Sequence, residues 1–212
     1  MLTDNGFDVK EDGVVAMAEP FTLTSQRLGP LPVLNHFLAR IGLGRLLECY
    51  LPHDDARLRL APATVIGVAV ANIVVGHRPV YALGEWASGY DPALLGLSGV
   101  DAAGALNDDR VGRMLDRLFD ADRASLVTET ILSAIAEFGV DVTQLHNDST
   151  TITVTGAYSA ADGRSRGGKA TAAIAHGHNK DFRPDLKQLL WVLTVSADGA
   201  VRLPIAASGV FI

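Results

Sequence analysis

The sequence predicts an α+β protein that is helical up to Gly139 and stranded after it. Three observations predict this. Apolar residues recur at helical spacing in segments from Leu31 to Phe138, and a glycine closes the last of them. From Asp148 the period then shortens to two, in a run rich in β-branched residues. The chain therefore divides into an extended or disordered N-terminus at 1–20, a helical domain at 21–139 and a strand-bearing domain at 140–212.

The helices come first. Leu31 to Ile41 places Val33, Leu34, Phe37, Leu38 and Ile41 on one face, and Gly42 supplies a stop. A short helix from Gly44 to Leu51 ends at Pro52. Pro62 to Val75 is apolar almost throughout, with proline at a tolerated first-turn position, and reads as the buried centre. His77-Arg78-Pro79 breaks the chain, Val80 to Ser88 forms a further short helix carrying Trp86, and 96–104 reads as loop. Asn107 is a good N-cap, with Asp108 and Asp109 in the first turn where the helix dipole favours anions. Its stripe is Val111, Met114, Leu115 and Leu118. Asp120 or Asp122 caps the next helix, whose stripe runs through Leu126, Val127, Ile131, Ile135 and Phe138, and the two make a helical hairpin.

In the second part, Asp148 to Val154 alternates, with Asp148, Thr150, Ile152 and Val154 on one face. Residues 159–168 are small, polar and read as a loop. Leu189 to Val195 is a nearly continuous apolar strand, and Asp198-Gly199 turns it into a further strand over Val201 to Ala206.

Composition sets limits on function. The chain has 212 residues, 48% hydrophobic and 20% charged, which is globular rather than disordered. One cysteine, Cys49, excludes an internal disulfide framework and fits a reducing cytoplasm. Met1 to Gly13 lacks the features of a secretory signal, and the apolar stretch 61–76 is too short for a bilayer span of about 20 residues, so no membrane association is expected. The net charge of -6 argues against nucleic acid on average. The charge is uneven, however. Ten acids face four Lys or Arg between Asp101 and Thr150, whereas Arg164, Arg166, Lys169, Lys180, Arg183 and Lys187 face only Asp181 and Asp185.

Several motifs could carry chemistry. Asp148 shares its strand face with threonine and aliphatic residues, so its carboxylate should be partly withdrawn from water, and a buried carboxylate needs a partner or a metal. Half of a Mg²⁺ site for phosphoryl transfer is one reading, and an exposed aspartate at a strand start is the competing one. GRSRGGK at 163–169 nearly matches a phosphate-cradling loop, but Ala170 stands where a hydroxyl is needed and no apolar strand leads in, so no nucleotide cofactor is expected. His176 and His178 lack a third ligand at recognisable spacing. The run from Lys180 to Gln188 combines cations, Phe182 and a helix-breaking Pro184, which suits either phosphate contact or a solvated, internally paired loop.

Three segments also resemble one family. Leu106 to Leu118 (LNDDRVGRMLDRL), Leu145 to Ile152 (LHNDSTTI) and Gly177 to Gln188 (GHNKDFRPDLKQ) are similar to DDE transposases of bacterial insertion sequences, within the insertion-sequence-4 superfamily. The resemblance spans about Leu28 to Pro204. It implies an RNase H-like α/β domain behind the helical domain, and Mg²⁺ ions held by two aspartates and a glutamate for attack on a phosphodiester. Asp148 matches the first aspartate, as catalytic residue and metal ligand, and the six cations from Arg164 to Lys187 become candidate contacts to DNA at transposon ends. The remaining carboxylates should lie beyond Val201 to Ala206, and the chain ends at Ile212. The resemblance therefore implies an incomplete catalytic domain, an inactive isolated chain and an exposed apolar sheet prone to self-association. A non-catalytic, DNA-binding or regulatory remnant is the alternative.

Overall fold

The computed structural model describes residues 25–177 and 182–203. Helices α1 (Leu31–Arg40), α2 (Leu43–Tyr50), α3 (Pro62–Val75), α4 (Leu83–Ser88), α5 (Ala102–Ala105), α6 (Asp108–Asp120) and α7 (Arg123–Phe138) precede every named strand. The expected N-terminal stretch at 1–20 lies outside the described residues.

Local chemistry sets several helix ends. Pro62 opens α3, and Asn107 caps α6 by accepting the amide of Arg110 at 2.9 Å. Asp122, the second of the two candidates, caps α7 by accepting the Ser125 amide at 3.1 Å, and Gly139 closes it at a positive φ of 61°. At a left-handed φ a glycine carries no Cβ penalty. The region expected to be loop at 96–104 contains α5, because Asp101 accepts the Gly104 amide and caps a single turn.

Packing centres on α3, as its composition suggests. Val65, Ile66, Val68 and Ala71 are buried there, against Leu31, Leu46, Leu47, Leu83, Leu97, Leu106, Val111, Met114 and Leu126. Gly84 of α4 lets that helix approach α5 backbone to backbone: a Cβ at this position would lie 2.9 Å from the Ala103 carbonyl oxygen. The stripes of the outer helices are less buried than expected. Leu31 anchors α1, while Val33 and Phe37 are exposed, and Leu126 anchors α7, while Val127 and Phe138 are exposed. These helices lie on the rim of the bundle and touch it along a narrow line. Among the described residues, no single helix is long and apolar enough to cross a membrane.

The second region is an antiparallel sheet. Strand β1 (Leu145–Val154) pairs along its whole length with β5 (Lys187–Ser196), with Asp148 opposite Leu193. On the other side of β5 lie β4 (Ala175–His176), near its start, and β6 (Arg202–Leu203), near its end. Strand β1 begins three residues before the predicted Asp148, and the predicted strand over 201–206 is described as far as Leu203. Between the long strands, the expected loop at 159–168 is in part a β-hairpin, in which β2 (Ser165–Arg166) pairs with β3 (Lys169–Ala170). Gly167 and Gly168 at its tip have φ of 56° and 80°. Positive φ at both central positions is what a two-residue type I′ turn requires.

Candidate nucleic-acid interface

Asp148 sits in the middle of β1, and alternation places its side chain with those of His146, Thr150, Ile152 and Val154. Across the ladder the same face carries Leu189, Trp191, Leu193 and Val195. Asp148 is nevertheless exposed, and its Oδ1 accepts the amide of Ser149 at 2.8 Å. The withdrawal from water expected from its aliphatic neighbours is therefore corrected. A strand pair without a covering layer leaves a central carboxylate wet, and both Ile152 and Trp191 on this face are 46% exposed.

A two-metal site needs several oxygen ligands converging on one point. Among the described residues there is no group of three or more His, Cys, Asp or Glu side chains able to hold a metal ion. The donor set around Asp148 therefore does not fit a Mg²⁺ pair. Of the two histidines, His176 lies on β4 and His178 outside the described residues.

The candidate cations fall into different environments. The ammonium of Lys169 reaches across to the end of α6 and donates to the carbonyls of Phe119 (3.2 Å), Asp120 and Ala121 (2.5 Å). A cation there meets the negative end of the helix dipole and satisfies carbonyls the helix leaves open. Its charge also helps hold the Asp122 carboxyl below its usual range, though the hydrogen bonds from Ser125 contribute more. Lys187 donates its ammonium to the Ala157 carbonyl. Arg183 forms a two-pronged pair with Asp185 at 2.8 and 2.6 Å, which holds the Asp185 carboxyl below its usual range and is the internal pairing that the competing reading of this loop foresaw. Arg164 faces Asp162 at 3.4 Å, largely in solvent. The side chain of Arg166 is exposed and makes no hydrogen bond or ion pair among the described residues. Lys180 lies outside the described residues.

The structure thus brings Arg164, Arg166 and Lys169 together on one hairpin and places Arg183 and Lys187 elsewhere, at the start of β5. The sequence reading missed the hairpin, although a signal was present: a Gly-Gly pair between two short polar runs is a two-residue turn pattern. Nothing in the sequence pointed to the contact between Lys169 and α6.

These features define a two-part protein: a helical unit with its own core, and an antiparallel sheet whose long strands are joined through a basic hairpin. The family described as "Domain of unknown function (DUF4277)" matches residues 23–132, just over half of the chain, and the protein belongs to that family. The match coincides with the core, since every buried apolar side chain among the described residues lies between Leu31 and Leu126. No curated protein and no solved structure matches the chain.

Proposed function

We propose that this protein is a DNA-binding relative of the DDE transposases, working in the cytoplasm on duplex transposon ends. The observation that carries the reading is the arrangement of the second region. Asp148 stands at the centre of the first long strand, and a basic segment occupies the connection to the second. An antiparallel pair with β6 starting beyond it is compatible with the opening strands of an RNase H-like domain. In that reading Asp148 supplies one carboxylate toward Mg²⁺, and further carboxylates must come from outside the described residues. The wet, isolated setting of Asp148 favours a second reading for this chain by itself, in which it binds DNA without cutting it. Self-association through the uncovered sheet accompanies either reading.

The test is binding of the full chain to labelled duplexes carrying insertion-sequence ends, over a salt series, with nicking followed in Mg²⁺ and Mn²⁺. The expected result is a salt-dependent complex without cleavage. Failure to bind any duplex at low salt would sink the proposal. Metal-dependent turnover that disappears in Asp148→Ala would overturn the non-catalytic reading and show that the carboxylate site is completed.

A further inference from the structure

We infer that residues 161–174 form a β-ribbon that enters the major groove of duplex DNA, with Arg164 and Arg166 reaching phosphates and Lys169 anchoring the ribbon to the protein. The inference rests on the reading that DNA is the partner.

The ribbon extends beyond its two short ladders. Asp162 pairs with Ala173, Ser165 with Ala170 and Arg166 with Lys169, all in one register. The Ile174 amide bonds the Ala161 carbonyl at 2.9 Å, and Thr171 gives both its amide (3.1 Å) and its hydroxyl (2.7 Å) to the Arg164 carbonyl. Six residues per arm span roughly 17–20 Å, with the two strands about 4.8 Å apart. A major groove about 12 Å wide and 8.5 Å deep admits an element of that size.

Alternation along this register puts Asp162, Arg164, Arg166, Lys169, Thr171 and Ala173 on one face and Ala161, Gly163, Ser165, Ala170, Ala172 and Ile174 on the other. Apart from Ile174 at its base the second face is small, and Ser165, Ala170 and Ala172 are exposed, so the outer part of the ribbon can lie close to a surface. On the first face the cations divide the work. An ammonium has three donors, and Lys169 directs its own toward three carbonyls at the end of α6, which leaves it no free proton for a phosphate. Arg164 is largely solvated, with a long 3.4 Å contact to Asp162, and such exposed pairs hold their partners weakly. Arg166 has no acceptor among the described residues. Both arginines present planar forks suited to phosphate oxygens. Fixing the ribbon at Lys169 lowers the ordering cost of binding, because the arm is already held in place when DNA arrives.

The experiment measures affinity of the full chain for a duplex DNA against salt concentration, beside an RNA duplex of the same sequence. Each phosphate neutralised contributes about 0.9 to the slope of log K on log salt. Arg164→Ala with Arg166→Ala should lower that slope by about 1.8, and weaken binding about tenfold or more at low salt. Lys169→Met should weaken binding while leaving the slope unchanged, since its charge touches no phosphate. The RNA duplex should bind at least about tenfold more weakly, because its deep, narrow major groove excludes a ribbon. Urea midpoints of all variants exclude loss of fold as the cause.

An unchanged slope in the double arginine variant overturns the ribbon while the DNA reading stands. A slope lowered by Lys169→Met overturns the anchoring role, and equal binding of RNA overturns insertion in the groove. No binding of any duplex by the unaltered chain removes the DNA reading itself.

Discussion

The helical and stranded regions of this protein solve the problem of burial differently. Between Leu31 and Leu126, leucine, valine and alanine side chains close around α3, and Leu31, Leu97 and Leu106 lose all contact with solvent. In the sheet the buried residues are polar, Thr194 and Ser196, while Ile152, Leu190, Trp191 and Val192 stay exposed on its two faces. A sheet is stable when another layer covers its apolar face. The helical region meets that condition by itself, and the described sheet does not. The family match, which ends at residue 132, falls on the self-sufficient part.

The sharpest way to break this comparison is a pair of truncations. Leu97→Ala removes a fully buried side chain from the helical core and should cost about 2–5 kcal/mol. Trp191→Ala removes a larger side chain that is half in water and should cost under about 1 kcal/mol, while reducing self-association. Urea unfolding with sizing chromatography reads both. Equal costs would show that the sheet is covered in solution.

A smaller effect tests how tightly the helical unit is built. In Gly84→Ala the new methyl group would sit 2.9 Å from the Ala103 carbonyl oxygen, where backbone rather than a flexible side chain must yield. Overpacking of this kind costs about 1–3 kcal/mol, more than the helix propensity alanine gains. A rise in stability would mean that α4 and α5 are further apart than described.

The same contrast explains what could be read from the sequence. Helix ends were legible because their causes are local: Asn107, Asp122 and Gly139 act on groups within a few residues. The two long strands followed from alternation around Asp148 and the apolar run to Val195, while their pairing and register did not. Burial was less legible, because it depends on what packs from a distance; Val33, Phe37 and Val127 hold stripe positions yet face water. The Lys169 contact was illegible for the same reason, since its acceptors lie 48–50 residues away. Asp148 looked buried because its strand neighbours are apolar, and a strand cannot report whether a layer covers it.

Acid sharpens the comparison through carboxylates that have partners. Arg57 beside Asp55 lowers that carboxyl to about 2, and Arg117 of α6, donating at 2.8 Å, holds Asp54 below its usual range. A group whose pKa is depressed by folding contributes stability above its unfolded value, here 3.8, and loses it as pH falls toward the folded one. The urea midpoint should therefore decline between about pH 4 and pH 2, and Asp54→Asn should remove part of that decline. An undiminished decline in the variant would assign the acid response to other carboxylates.

The smallest effect on stability is expected at Asp148 itself. Its one hydrogen bond among the described residues, from the Ser149 amide, lies at the exposed surface of β1, where water can replace it. Asp148→Asn keeps the shape and an oxygen acceptor, so the urea midpoint should not change measurably. That neutrality is informative because it separates folding from function: a carboxylate with no structural task, in the centre of a long strand, is free to serve a ligand. A clear loss of stability in Asp148→Asn would show that the side chain is held by contacts within the fold and does have a structural task.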